Sequence, residues 1–303
     1  MRSMSAYRII VEPRRDPLNP QLESNFRSGS MPGDGTSFSP SAVGCPRGLL
    51  VSQLQRDAVV RDEIAAKYLR RFVGSAELIH GTPRWCIWMP KLVSADSDGS
   101  IELRTRFAHV RRYRLNSVDN SLRNAAHWPH SFARIKQLSR RYLCVPRCFS
   151  RDRPYIIADY LDPTVIAGDA TQITEDPNGL VFAVLSSSMF MTWQRAVGGQ
   201  VHADQRFGVT RVWNTFPLPH LSTVSFQRIV AAGSAVVAAR TQLSDRRLAE
   251  LYDPIDMDPV LRRAHDALDT AIDTAFGVSR RTATTADRLD LLLRAYEDGL
   301  LRW

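Results

Sequence analysis

The hydrophobic period of this chain changes once, near Pro219, and that change limits the architectures open to it. Upstream, short runs of β-formers alternate with Pro, Gly and Asp turns; downstream, apolar residues recur every three or four positions. Segments 7–12, 84–89, 142–145, 155–158, 164–167, 180–185 and 207–213 read as strands. Helices are predicted at 55–72, where Val59, Ile64, Tyr68 and Phe72 share a face, at 131–139, and at 189–197 behind the hydroxyls Ser186, Ser187 and Ser188. Beyond Pro219, Phe226, Ile229, Val230, Gly233, Val236 and Val237 form one apolar face. Asp258 and Pro259 make an N-cap and N1 pair for a helix carrying Leu261, Ala264, Leu268, Ala271, Ile272 and Phe276, with Gly277 after it. Thr285 can cap a last helix carrying Leu289, Leu292, Leu293, Tyr296 and Leu300. The expectation is an α+β fold: a mixed, strand-rich domain over 31–220, preceded by a connector over 1–30 and followed by an all-α part over 221–303.

Charge is distributed as unevenly as period. The 303 residues carry a formal +9, from 40 Lys and Arg against 31 Asp and Glu. Between Arg104 and Arg153 thirteen basic residues face only Asp119 and Asp152, a local +11, whereas the chain from Arg240 onward is slightly acidic. A positive face built on one segment is the footprint expected of a polyanion partner, nucleic acid above all; a solvated basic surface of an arginine-rich chain explains the count equally well. The 44% hydrophobic and 23% charged content excludes wholesale disorder. No window approaches eighteen consecutive apolar residues, and the first residues have too short an apolar run for a signal peptide, so a cytoplasmic location with no membrane partner is expected.

No catalytic constellation emerges. Phosphate-cradling glycine loops, HExxH pairs and nucleophile elbows are missing from the sequence. Cys144 and Cys148 have three residues between them, and His127 and His130 could complete a zinc set; a buried thiol in the apolar run around Cys144 is the commoner outcome, so no metal is expected. Asp152, Asp159, Asp162, Asp169, Glu175 and Asp176 could hold a divalent ion, but Asp between strands is explained more simply by its hydrogen bonds to turn backbone.

Three clusters have the makeup of recognition parts. Arg147, Ser150, Arg151 and Arg153 fall on a loop between predicted strands, where Arg can grip phosphate or a guanine edge and Ser a phosphate oxygen. Ser187 and Ser188 open a predicted helix whose last turn holds Arg195, and a helix N-terminus attracts anions. Arg206, Arg211 and Asn214 mix with the aromatics Phe207, Trp213 and Phe216. For those rings, and for Phe190 and Trp193, ordinary core packing is the simpler reading than base stacking.

Taken in order, these pieces resemble the C-terminal portion of type II restriction-modification fusions, which join an adenine-specific DNA methyltransferase to a nuclease. The resemblance runs over about residues 28–300. It rests on Gly29 to Gly35, Tyr68 to Ile79, Arg84 to Trp88, Pro146 to Tyr155, Leu185 to Trp193, Val197 to Gly199, Trp213 to Pro217, Leu248 to Pro254 and Leu261 to Asp269. It implies a target-recognition domain and a helical end packed on a methyltransferase, holding duplex DNA while another domain flips the target adenine. Arginine and asparagine from loops would read base edges, and the basic segment would follow the phosphates.

The match has gaps. The stretch from Arg111 to His130 fits the family poorly, and Met257-Asp-Pro stands where a Met-Pro pairing is expected. The glycine-rich S-adenosylmethionine site and the Asn/Asp-Pro-Pro-aromatic loop are missing here, so S-adenosyl-L-methionine is implied only for a methyltransferase part outside this chain. The partners expected are duplex DNA and that methyltransferase domain or subunit, with or without a nuclease. A second reading makes the chain a degenerate or split-gene fragment, an interaction or specificity subunit that docks a separate methyltransferase. A free-standing metal enzyme built on the 152–176 carboxylates is the third.

Overall fold

The structure, a computed structural model, describes residues 11–23, 25–34, 48–201, 203–278 and 284–301. Cys45, Gly35 and most of the strand expected at 7–12 lie outside the described residues. The first elements are Arg27–Ser28 (β1), Leu50–Val51 (β2), Gln53–Arg61 (α1), Glu63–Ala66 (α2), Leu69–Val73 (β3), Ser75–His80 (α3), Trp85–Ile87 (β4), Ser94–Gly99 (α4), Ile101–Leu115 (α5) and Asn120–Asn124 (α6). Strands Tyr142–Pro146 (β5), Cys148–Phe149 (β6), Asp159–Leu161 (β7), Ile166–Ala167 (β8) and Thr171–Thr174 (β9) come next. Helices Leu180–Leu185 (α7) and Ser188–Val197 (α8) precede Gly199–Val201 (β10) and Asp204–Arg206 (β11). The last elements are Thr223–Gln242 (α9), Leu248–Leu251 (α10), Pro259–Ala275 (α11) and Thr285–Leu301 (α12). All described strands lie before residue 207, and every element from Thr223 on is helical, as the change of period predicts for an α+β chain.

Several local expectations give way to tertiary context. The helix expected over 55–72 stops at Asp62, whose carboxylate accepts from Ile64 N and Ala65 N and starts a new turn; Phe72 then sits on β3, paired with Ile166 of β8. The strand expected at 180–185 is helix α7. Six consecutive apolar residues suit either state, and the decision comes from the preceding polar residues: Asp176 accepts from Val181 N and Phe182 N, and Asn178 accepts from Leu180 N. In the basic segment the helix is α5 instead of 131–139, which is irregular. Residues 155–158 are buried yet precede their strand, and 209–213 form one π-helical turn, with Asn214 N donating to Val209 O at 2.9 Å.

By internal packing the chain divides into two compact units that interleave in sequence: residues 27–142 with 161–173, and the remainder. The first is built on a four-stranded sheet in the order β2-β4-β3-β8, antiparallel except at β3/β8. Its core joins Leu49, Val51, Val59 and Ile87 to Leu103, Phe107 and Val110 of α5. Two arginines of that helix point into it. Arg106 pairs with Glu102 at 2.9 Å and donates to Gly48 O at 2.6 Å. Arg114 donates to five carbonyls, those of Pro32, Gly33, Ala125, Trp128 and Ser131, and so ties three chain segments together. Burial lowers its pKa to about 10, which leaves it charged at neutral pH.

The second unit centres on α7 and α8, whose residues are nearly all buried, with α9, α11 and α12 packed around them. Gly233 of α9 allows the closest approach: a Cβ there would lie 2.7 Å from the Cβ of Ala183. The segment 14–22, expected as a connector, is bound into this unit. Asn19 Nδ2 donates to Leu218 O and Pro219 O, Leu18 N donates to Asn214 O, and Leu22 is fully buried.

Candidate nucleic-acid interface

The recognition candidates fall into two groups. The first gathers on a three-stranded antiparallel sheet in the order β10-β11-β6. Arg206 lies opposite Gly199 on one side and Cys148 on the other, and Phe207 N donates to Arg147 O at 2.9 Å. Alternation along β11 turns Gln205 inward, 5% exposed, and Arg206 outward. Arg147, half-buried, therefore flanks the backbone that carries Arg206. Just past β6 the chain makes a tight turn, with Arg153 N on Ser150 O and Asp152 N on the Ser150 hydroxyl, and Arg151 stands exposed on it. Arg211 is exposed on the π turn, and its carbonyl accepts from the Thr215 hydroxyl. Exposed guanidinium groups on a short, turn-bounded sheet can grip phosphates or reach base edges.

The second group serves the fold. Asn214 is buried, and its side-chain amide donates to Arg14 O and Arg15 O. Arg153 folds back onto the end of α10, donating to Ala249 O at 2.7 Å and Tyr252 O at 3.0 Å. Arg195 donates to Arg153 O and steadies the same turn. Ser187 is the N-cap of α8, accepting from Phe190 N and donating to Val184 O. The anion-attracting start of α8 already holds an anion. Asp269 of α11 accepts from Ser188 N at 2.7 Å and from its hydroxyl at 2.5 Å. Burial raises the pKa of Asp269, and the two Ser188 hydrogen bonds act against that rise.

Asp269 belongs to a polar line on the buried face of α11 that no sequence pattern flagged. His265 Nε2 meets the Tyr252 hydroxyl at 2.9 Å and its Nδ1 meets Ser186 O, with the Tyr155 ring stacked 3.8 Å away. Burial, followed by the nearby Arg240, pushes the imidazole down to about 3, so it is neutral at physiological pH. Arg240 donates to Tyr252 and to Ala158 O, and Asp273 takes a bidentate pair from Arg288. The spacing of His265, Asp269 and Asp273 by four, inside the stripe of Leu261, Leu268 and Ile272, was the available signal.

Aromatic side chains follow the simpler expectation. Phe190, Trp193, Phe207, Trp213 and Phe216 are all fully or nearly fully buried; Trp193 packs on Tyr296, and the other four pack on one another and on Phe26. Of the thirteen basic residues between Arg104 and Arg153, Arg106 and Arg114 are buried and nine are exposed, so the surface charge is smaller than the residue count suggests. Among the described residues no three His, Cys, Asp or Glu side chains converge as metal ligands, and no helix is long and apolar enough to cross a membrane.

Comparison with known proteins gives these parts a context. The chain is 29% identical to the type IIL restriction-modification enzyme MmeI, solved in complex with DNA, with a TM-score of 0.87 over 97% of this chain and 37% of that one. It is 28% identical over 291 residues to DNA methyltransferase A of Bacillus subtilis (strain 168), covering 96% of this chain and 31% of that protein. It thus spans about a third of the length of each. The description "MmeI, target recognition domain" matches residues 5–220, and "MmeI, C-terminal domain" matches 222–300. The chain belongs to the MmeI family, as its target recognition domain followed by its C-terminal domain.

Proposed function

We propose that this chain binds a short duplex DNA site in a sequence-specific manner for a DNA-modifying enzyme, with residues 31–220 reading the site and 221–303 holding the reading part in place. The observation that carries this is the family membership, together with the likeness to MmeI, whose structure was solved with DNA. The sheet β10-β11-β6 supplies a physical route. Arg206, Arg147 and Arg151 would reach base edges and phosphates, and Ser150 and Arg211 would add phosphate contacts. The partner is a methyltransferase region, in the same polypeptide or as a separate subunit, with or without a nuclease. S-adenosyl-L-methionine belongs to that region, adenine is the base it acts on, and the setting is the cytoplasm, where duplex DNA is reached.

The test is selection of bound duplexes from a randomised library, followed by a salt titration on the winner. The reading predicts one enriched short motif and an affinity whose logarithm falls by about 0.9 per phosphate contacted for each tenfold rise in salt. No enrichment, or an affinity flat with salt, overturns it.

A further inference from the structure

The outward arginine of β11 is held from behind by a helix. Gln194 of α8 is fully buried, and its side-chain amide donates to the backbone carbonyl of Arg206 at 3.2 Å and to the Gln205 side chain at 3.4 Å. Four residues on, Gly198 leaves room for that amide: a Cβ at 198 would fall 2.0 Å from Gln194 Nε2. The neighbour Arg195 donates to Arg153 O, so consecutive residues of α8 hold β11 and the turn that carries Arg151. The helix is itself fixed at its start by Ser187 and Asp269 and along its length by the packing of Trp193 on Tyr296.

We infer that Gln194 is a positioning residue for sequence reading: its amide fixes the height and twist of β11, and so the direction in which Arg206 approaches a base edge. The inference rests on the proposed DNA-reading role of Arg206. A bidentate arginine contact tolerates little misplacement, because both N–H groups must meet their acceptors in one plane. A phosphate contact is a looser requirement, since a guanidinium can satisfy it from many directions. Loss of the Gln194 amide therefore acts on discrimination at one base pair more than on affinity for DNA at large. Gln205, whose backbone pairs with Phe149 and whose side chain faces Gln194, completes the support from the strand side.

The experiment compares the 303-residue chain with Gln194→Met, which keeps the volume and removes the amide, on the selected duplex and on variants of it changed at each base pair. Arg206→Ala first identifies the base pair at which discrimination collapses. Gln194→Met is then expected to lower discrimination at that same base pair by about five- to tenfold, the worth of one or two hydrogen bonds. Affinity for unrelated duplex and the salt slope stay as they were, and in an Arg206→Ala background Gln194→Met has no further effect on discrimination. Equal loss at every base pair, unchanged discrimination with a lowered melting temperature, or an undiminished effect without Arg206 would make Gln194 a core residue only and overturn the inference. If Arg206→Ala changes no base pair, the reading of Arg206 fails first and the inference falls with it. Should Gln194→Met not fold, Gln205→Leu removes one of the two partners of the Gln194 amide and is expected to lower discrimination at the same base pair by about two- to threefold, with no change at the others.

Discussion

The start of helix α8 and the outer face of the sheet β10-β11-β6 have similar chemistry and opposite fates. Both pair hydroxyls or backbone N–H groups with nearby arginine, and both attract anions. At α8 the anion is internal: Asp269 occupies the helix start, Ser187 caps it, and Arg195 and Arg153 hold the adjoining turn and α10. At the sheet, Arg206 and Arg151 face outward, with Gln194 and Gln205 filling the space behind. The attraction for a charged partner is written locally, in residue type and helix geometry. Whether that charge is met by the protein's own carboxylate or left open to an outside anion depends on what another part of the chain brings alongside.

The largest test of this contrast is Asp269→Ala. It leaves Ser187 capping α8 but takes the acceptor from the Ser188 N–H and hydroxyl and from the Tyr155 hydroxyl, a cost of about 3 kcal/mol in urea unfolding. DNA affinity should not rise. A rise would mean that Asp269 had been masking a phosphate site and that the start of α8 belongs with the interface. Next comes Arg206→Ala, expected to cost about 2 kcal/mol of binding at one base pair, with urea stability within about 0.5 kcal/mol of the parent, because the side chain is exposed. If the variant binds every duplex as the parent does, the open face is not the reading face.

Much of this contrast could not be read from residues in order. The overall plan was legible, since the switch of period at Pro219 reports burial geometry directly, and Asp258, Pro259 and Gly277 mark the ends of α11 by local rules that hold without tertiary help. The run 180–185 was not, because an apolar stretch buried on every side has no period; its state was written in Asp176 and Asn178 before it. At the candidate site, Arg151 was legible as an arginine on a loop between strands and Arg206 as one beside aromatics. Asn214 and Arg153 look the same in sequence, and only the carbonyls of Arg14, Arg15, Ala249 and Tyr252 decide their roles. Gln194, between Trp193 and Arg195, carried no signal beyond being polar on an apolar helix.

The closed region also contains a buried titratable group. His265 is held neutral in the fold, its pKa brought down to about 3 by burial and by Arg240, against about 6.5 in the unfolded chain. A folded pKa below the unfolded one means that the unfolded state takes up the proton first. The stabilising contribution is complete above pH 6.5 and is lost as pH falls toward 3. At pH 5.5 the loss is about 1.4 kcal/mol. Asp269, whose pKa is raised by burial, acts with the opposite sign, so the measurement is the difference between the parent and His265→Gln. Their unfolding free energies should converge as pH drops from 7.5 to 5.5. Parallel curves would show that His265 is protonated within the fold and that the polar line of α11 is not the sealed structure its hydrogen bonds describe.

The smallest expected effect bears on how the open face works. Arg151 stands exposed on a turn closed by Ser150, with no side-chain partner among the described residues, so Arg151→Ala should leave urea stability within about 0.5 kcal/mol of the parent. If the guanidinium holds a phosphate, the slope of log affinity against log salt drops by about 0.9, and all duplexes weaken by the same factor. If it reads a base, the slope stays and one base pair loses its preference. Arg206 on the strand and Arg151 on the turn differ in support: the Arg206 backbone is itself gripped by Gln194, whereas the Arg151 turn is tied two residues away, through Arg153 and Arg195 at its far end. A side chain on a gripped strand suits directional base contacts, and one on a turn suits the tolerant geometry of phosphate. The slope result for Arg151 is therefore the expected one, and a base-specific loss there would reverse the assignment of the two arginines.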